Sequence, residues 1–233
     1  MPAFAGMTTV CYPDFMRLLA IDTALEACSV GVVDGERTVV RTENIGRGHA
    51  EILMGQVESA LAEAKLEFAD LDRIAVIVGP GSFTGLRVGI AAARGFALVT
   101  GKPALGVGTL AVHAAEARGR PVLATLAAGR GEIYGQFLAA DGSEAGPARV
   151  ASPDIFAAAM TADTALAGSG ADLVIAALPM DARPAVLHRN AAPDIVTLCR
   201  VALAAPEPGA PPKPLYIRPP DARPQAAAKI AHR

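Results

Sequence analysis

Asp22 and Thr23 close the first apolar run of the chain, and a glycine-bearing turn, Gly79-Pro80-Gly81-Ser82-Phe83-Thr84-Gly85, follows the later run Arg73 to Val78. A carboxylate at a strand end can hold a metal, the hydroxyl beside it a phosphate oxygen, and free amides at a helix start attract an anion. Asp22, Thr23, Gly79, Gly81, Ser82 and Thr84 are therefore the candidate phosphate-binding set, with Ser82 or Thr84 placed to cap the helix that follows. The turn lacks the Lys-Ser or Lys-Thr of a P-loop, and Thr84 stands where a dinucleotide fingerprint needs its third glycine. The motif alone favours a structural turn.

A two-sided phosphate clamp needs a matching carboxylate from elsewhere. The run that parallels the first one ends Leu126-Ala127-Ala128-Gly129 and has none. His49 with Glu51 hints at a metal, yet His113, His188 and His232 are distant in sequence, so His49 reads as a helix-start residue. Cys11, Cys28 and Cys199 form no C-x-x-C pair, and Cys28 sits in an apolar strand with no histidine beside it. Asp22 is the best clue to an enzyme, but one half of the metal and phosphate clamp is missing and no Ser/His/Asp arrangement can be assembled from spacing alone. A reducing cytoplasm fits this cysteine usage.

The elements that would position these groups follow from periodicity. Arg17 to Asp22 and Ala27 to Val33 read as strands, and Asp34-Gly35 as a hairpin signal into a third at Arg37 to Arg41. A helix from about His49 to Lys65, a strand at Ile74, a helix after Thr84 and a strand at Ala104 to Val107 complete the unit. Val122 to Gly142 repeats the strand, loop, strand and Asp-Gly plan, and Thr164 to Val174 echoes the strand and glycine turn. The expected fold is α/β, a duplicated actin-like or ribonuclease H-like (ASKHA) arrangement whose second half is smaller and degenerate. Its expected parts are a leader at 1–16, an N-terminal half at 17–107, a second half at 108–210 and a proline-rich segment at 211–233 packing back on the body. Met16 looks like the natural start.

With 233 residues, net charge -2 and 19% charged residues, the chain has no broad basic field for a nucleic-acid backbone, so a role with RNA would need a partner. Its apolar runs are cut by Arg, Glu and Gly, and no membrane association is expected.

The helix after Thr84 is the most pointed element. Gly85, Gly89, Ala93 and Ala97 recur every four residues and would let another backbone come close. Leu86 and Ile90 lie on other faces, and Arg87 and Arg94 are the only charges in the helix body. A helix so apolar is buried on two sides, either within one large domain or between its own sheet and a second subunit.

Leu19 to Thr23 (LAIDT), Glu26 to Val30 (EACSV), His49 with Glu51, Gly79 to Leu98 (GPGSFTGLRVGIAAARGFAL), Leu105 to Leu110 (LGVGTL), Gly131 to Tyr134 (GEIY) and Tyr216 to Ala222 (YIRPPDA) together resemble the TsaB (YeaZ) family. The resemblance implies an actin-like, non-catalytic scaffold and dimerization subunit of the bacterial machinery that makes threonylcarbamoyladenosine in tRNA. It implies a TsaD-type partner that carries the metal and transfers the threonylcarbamoyl group, a TsaE-type ATPase, a homodimer when alone and only indirect contact with tRNA. It places the partner surface on two helices, at His49, Leu53 and Val57 and at Gly85, Leu86, Arg87, Gly89, Ile90, Ala93, Arg94 and Ala97. No cofactor is expected, weak nucleotide binding being the form left open. Ala127-Ala128-Gly129-Arg130 departs from the family's Asp-Ala-Arg-type stretch. An actin-like ATPase or small-molecule kinase using Asp22, Thr23 and the Gly79 to Gly85 turn is the alternative. A metalloprotease is a third reading, which the lone His49 opposes.

Overall fold

The computed structural model describes residues 16–218, apart from Glu116 and Arg118. The expectations for the leader at 1–15 and for residues 219–233, with Cys11 and His232, lie outside the described residues.

The first half runs β1 (Arg17–Asp22), β2 (Ala27–Asp34), β3 (Arg37–Asn44), α1 (His49–Ala64), β4 (Arg73–Gly79), α2 (Phe83–Thr100) and β5 (Ala104–Gly108). Its sheet has the order β3-β2-β1-β4-β5. The first three strands pair antiparallel through tight turns, and β4 and β5 join parallel through helical crossovers. Leu18, Leu19, Ala20 and Ile21 of β1 are all fully buried, as a central strand covered on both faces requires.

The second half runs α3 (Thr109–Ala114), β6 (Val122–Gly129), β7 (Glu132–Leu138), β8 (Arg149–Ala151), α4 (Pro153–Ala157), β9 (Ala165–Ala167), α5 (Ala171–Ala177), β10 (Val186–His188) and α6 (Ile195–Ala204). Its order, β10-β9-β6-β7-β8, repeats the first sheet strand for strand. The outer strands have shrunk to three residues each. The duplicated actin-like α/β fold with a smaller second half is what the sequence leads one to expect.

One element sits where its place in the sequence does not suggest. α6 falls in the stretch grouped with the second half, yet Ile195, Leu198, Cys199 and Ala202 belong to the core of the first sheet. Successive strand residues face opposite sides. Ile21 of β1 lies beside Gly89 of α2, while Ala20 shares with Gly31 the face on which Cys199 rests. α2 and α6 therefore sandwich the first sheet.

Arg73, 7% exposed at the start of β4, donates from one nitrogen to Ala202 O and Ala205 O, each at 2.7 Å. α6 has no basic residue in its own last turn, so this distant arginine satisfies its end carbonyls. Arg73→Met should cost about 2 kcal/mol in urea unfolding, the range for hydrogen bonds to a charged group. Unchanged stability would show that water replaces the arginine at no loss.

α2, with 18 residues and mean hydropathy 1.2, is long and apolar enough to cross a membrane by length and composition alone, which the sequence reading did not anticipate. In this fold its inner face rests on β1 and β4, where Gly85, Leu86, Gly89, Ile90 and Ala93 are buried.

Candidate functional site

The candidate site is built on the turn after β1. Asp22 is 1% exposed; one carboxylate oxygen accepts from Ala24 N at 2.8 Å and the other has no partner among the described residues. Burial pushes its carboxyl up to about 7, because the charged form loses its water. Thr23 donates its hydroxyl to Gly85 O at 2.7 Å, Ser82 N donates to Ala24 O at 2.6 Å, and Ser82 caps α2 by accepting from Gly85 N. A Cβ on Gly81 would stand 2.6 Å from Ala24 O, and one on Gly85 2.0 Å from Thr23 O. The two turns are thus pressed together backbone to backbone. The Thr23 hydroxyl and Ser82 amide, candidates for phosphate, are engaged by the chain itself. Gly79, at φ +118°, leads into this turn, and Thr84 is exposed.

The second half repeats the device. A Cβ on Gly168 would lie 1.9 Å from Thr125 O, and the Thr125 hydroxyl donates to Ala167 O at 2.9 Å. β6 then ends in Ala127-Ala128-Gly129, without the carboxylate that would face Asp22. Among the described residues no group of three or more His, Cys, Asp or Glu could hold a metal.

His49 opens α1, as a helix-start residue should. It is 8% exposed, its Nε2 has no partner among the described residues, and it lines a cavity of about 530 Å³ with Glu51, Ser82 and Thr84. His113 and His188 meet each other instead, ring centroids 5.0 Å apart. Burial pushes the Cys28 thiol up to about 11 and the Cys199 thiol to about 12, which leaves both unreactive at neutral pH.

Of the residues expected at the partner surface, most are buried within the chain. Leu53, Val57, Gly85, Leu86, Gly89, Ile90 and Ala93 are enclosed by the chain's own sheet. Gly85 and Gly89 allow close approach to Thr23 and Val76 of the same chain. His49 is buried too, Ala97 is half-buried, and Arg87 and Arg94 remain exposed. The outward face of α2 carries Phe83 at 48% and Leu98 and Val99 at 85% exposure, with Met54 of α1 at 44%. Arg87 lies 3.7 Å over the Phe83 ring and donates to Tyr216 OH. At the far end Arg94, Leu98, Lys102 and Pro208 to Pro211 line an apolar groove of about 630 Å³. The sequence signal for this face is Leu98-Val99 just before Thr100-Gly101, two large apolar residues outside the small-residue stripe.

Comparison with known proteins places the chain in a family. Residues 40–156 match the TsaD family model, described as tRNA N6-adenosine threonylcarbamoyltransferase. An uncharacterised protein of Mycobacterium tuberculosis is 36% identical over 212 residues, 90% of this chain and 95% of that one. The tRNA threonylcarbamoyladenosine biosynthesis protein TsaB of Escherichia coli is 39% identical over 123 residues, 51% of this chain and 53% of its own. The solved structure of YeaZ from Pseudomonas aeruginosa superposes with a TM-score of 0.70 at 33% identity, covering 81% of this chain and 90% of that one.

Proposed function

We propose a function from the premise that this chain belongs to the TsaB (YeaZ) family: it is a non-catalytic subunit that supports a TsaD-type transferase in forming N6-threonylcarbamoyladenosine in tRNA. The observation that carries this reading is the outward side of α2, where Leu98 and Val99 are exposed beside Arg94 at one end and Phe83 and Arg87 are exposed at the other. Two large apolar side chains left uncovered side by side, as Leu98 and Val99 are, form a patch that a partner helix would bury. That face would serve self-association when the protein is alone and the TsaD-type partner in the complex, with a TsaE-type ATPase joining and tRNA contacted through the assembly. The missing second carboxylate supports a role without catalysis, and no cofactor is invoked.

Arg94→Glu and Leu98→Glu test the surface, since both side chains point away from the sheet. Both variants should keep the circular dichroism spectrum and melting temperature of the parent. Either should weaken self-association and capture of the TsaD-type protein at least tenfold and lower threonylcarbamoyladenosine in cellular tRNA. Normal capture by both folded variants would place the interface elsewhere. The alternative, an actin-like ATPase or kinase, requires metal-dependent turnover that disappears in Asp22→Ala.

A further inference from the structure

The proline-dense stretch after α6 is not a free linker. Pro212 is buried, 3.3 Å from where a Cβ on Gly106 of β5 would be. Leu215 N donates to Val78 O of β4 at 2.7 Å, and a Cβ on Gly79 would meet Leu215 O at 2.9 Å. Tyr216 accepts from Arg87 of α2 at 3.2 Å and stacks against Phe83, ring centroids 5.4 Å apart. Three residues after Leu215 the chain is in the other half. Arg218 donates to Ala128 O at 3.2 Å, pairs with Glu132 and lies over the Tyr134 ring, all on β6 and β7.

We propose that residues 215–218 are a built-in clasp that bridges the two halves and fixes their relative orientation. Val78 and Gly79 end β4, the neighbour of the central strand β1 in the first sheet, beside the Asp22 turn, and Ala128 and Glu132 flank the corresponding turn of the second. Two-lobed folds of this kind close by hinge motion when a ligand contacts both lobes. Here the chain's own segment makes those contacts. The lobes also meet at α3, whose Val112 packs in the first core and whose Leu110 and Ala114 pack in the second, and at Leu25, which touches both, so the clasp adds a contact on the side of the two turns. The clasp acts intramolecularly, so its effective concentration is on the order of millimolar. Pro211, Pro212 and Pro214 restrict the approach and reduce the entropy lost on closing.

Hydrogen exchange on the full chain tests this with Arg218→Ala and, more gently, Glu132→Gln, each removing one side of the ion pair. Exchange at 78–81 and 127–132 should accelerate at least tenfold in Arg218→Ala and by a smaller factor in Glu132→Gln. β1 and β2 should keep their parent rates, and the radius of gyration in solution scattering should increase. Unchanged exchange in both variants would overturn the clasp. So would uniform acceleration across all strands, which would mean that Arg218 supports only general stability.

Discussion

Gly85→Ala is expected to lower stability by about 3 kcal/mol, the upper part of the range for overpacking a well-filled site. The added carbon would stand 2.0 Å from Thr23 O, a backbone atom that cannot swing aside as a flexible side chain can. The hydrogen bond from Thr23 to the Gly85 carbonyl would be strained by the same displacement. Gly95→Ala, on the same helix with nothing within 4 Å of the added carbon, is the control and should stabilise by up to about 1 kcal/mol through helix propensity. Urea unfolding of the two variants measures the contrast. If both alanines are tolerated alike, the backbone-to-backbone contact between the turns is not the restraint inferred here. Gly89→Leu belongs with Gly85, since its first added carbon would lie 2.5 Å from the Thr23 hydroxyl. It reports on the fold and not on partner binding.

Asp22→Asn is expected to stabilise the protein above pH 7 by as much as about 4 kcal/mol, the equivalent of a shift of roughly three pKa units. Burial raises the carboxyl from 3.8 to about 7, so the folded state holds its proton after the unfolded state has released it. Stability from this group is therefore full below pH 4 and is lost as pH rises towards 7. Asparagine keeps an oxygen to accept from Ala24 N and cannot ionise. His113 acts in the opposite sense. Burial, then the neighbouring His188, lowers it from 6.5 to about 4, so the unfolded state takes up the proton first and stability falls as pH drops from 6.5 to 4. The two slopes oppose each other in the window from pH 4 to 6.5, and the parent should show a flat profile there. Asp22→Asn should uncover the acid loss due to His113. Parallel profiles for Asp22→Asn and the parent, followed by chemical unfolding from pH 4 to 8, would refute the buried, uncompensated carboxylate.

Much of the architecture was legible because it rests on local signals. Asp34-Gly35 marks the hairpin, Ser82 marks the start of α2, and the repeated strand, loop and strand plan gives the duplication. The three-residue strands β8, β9 and β10 carry too few residues for a period to emerge, and the sequence reading missed β8 and β10. The face of α2 was illegible for another reason. Gly85, Gly89 and Ala93 permit close approach by any backbone, and spacing cannot say whether that backbone belongs to the same chain. Only the position of Thr23 under the helix decides it. Arg73 likewise looks like a strand-edge charge until α6 comes to lie across its end 129 residues later.

The placement of α6 has a consequence for how the protein comes into being. The first sheet is complete in sequence at Gly108, but one of its two faces stays uncovered until Ile195 to Ala204 have been made. At about 5–20 residues per second, the ribosome takes roughly 5 to 20 s to supply them. Throughout that interval the nascent chain presents Ala20, Gly31 and their neighbours to solvent as bare apolar strand surface, with the second half still emerging between the sheet and its cover. The first half cannot finish co-translationally on its own. Its maturation waits for α6, which makes this interval the one in which chaperone binding or misassembly decides the yield of native protein.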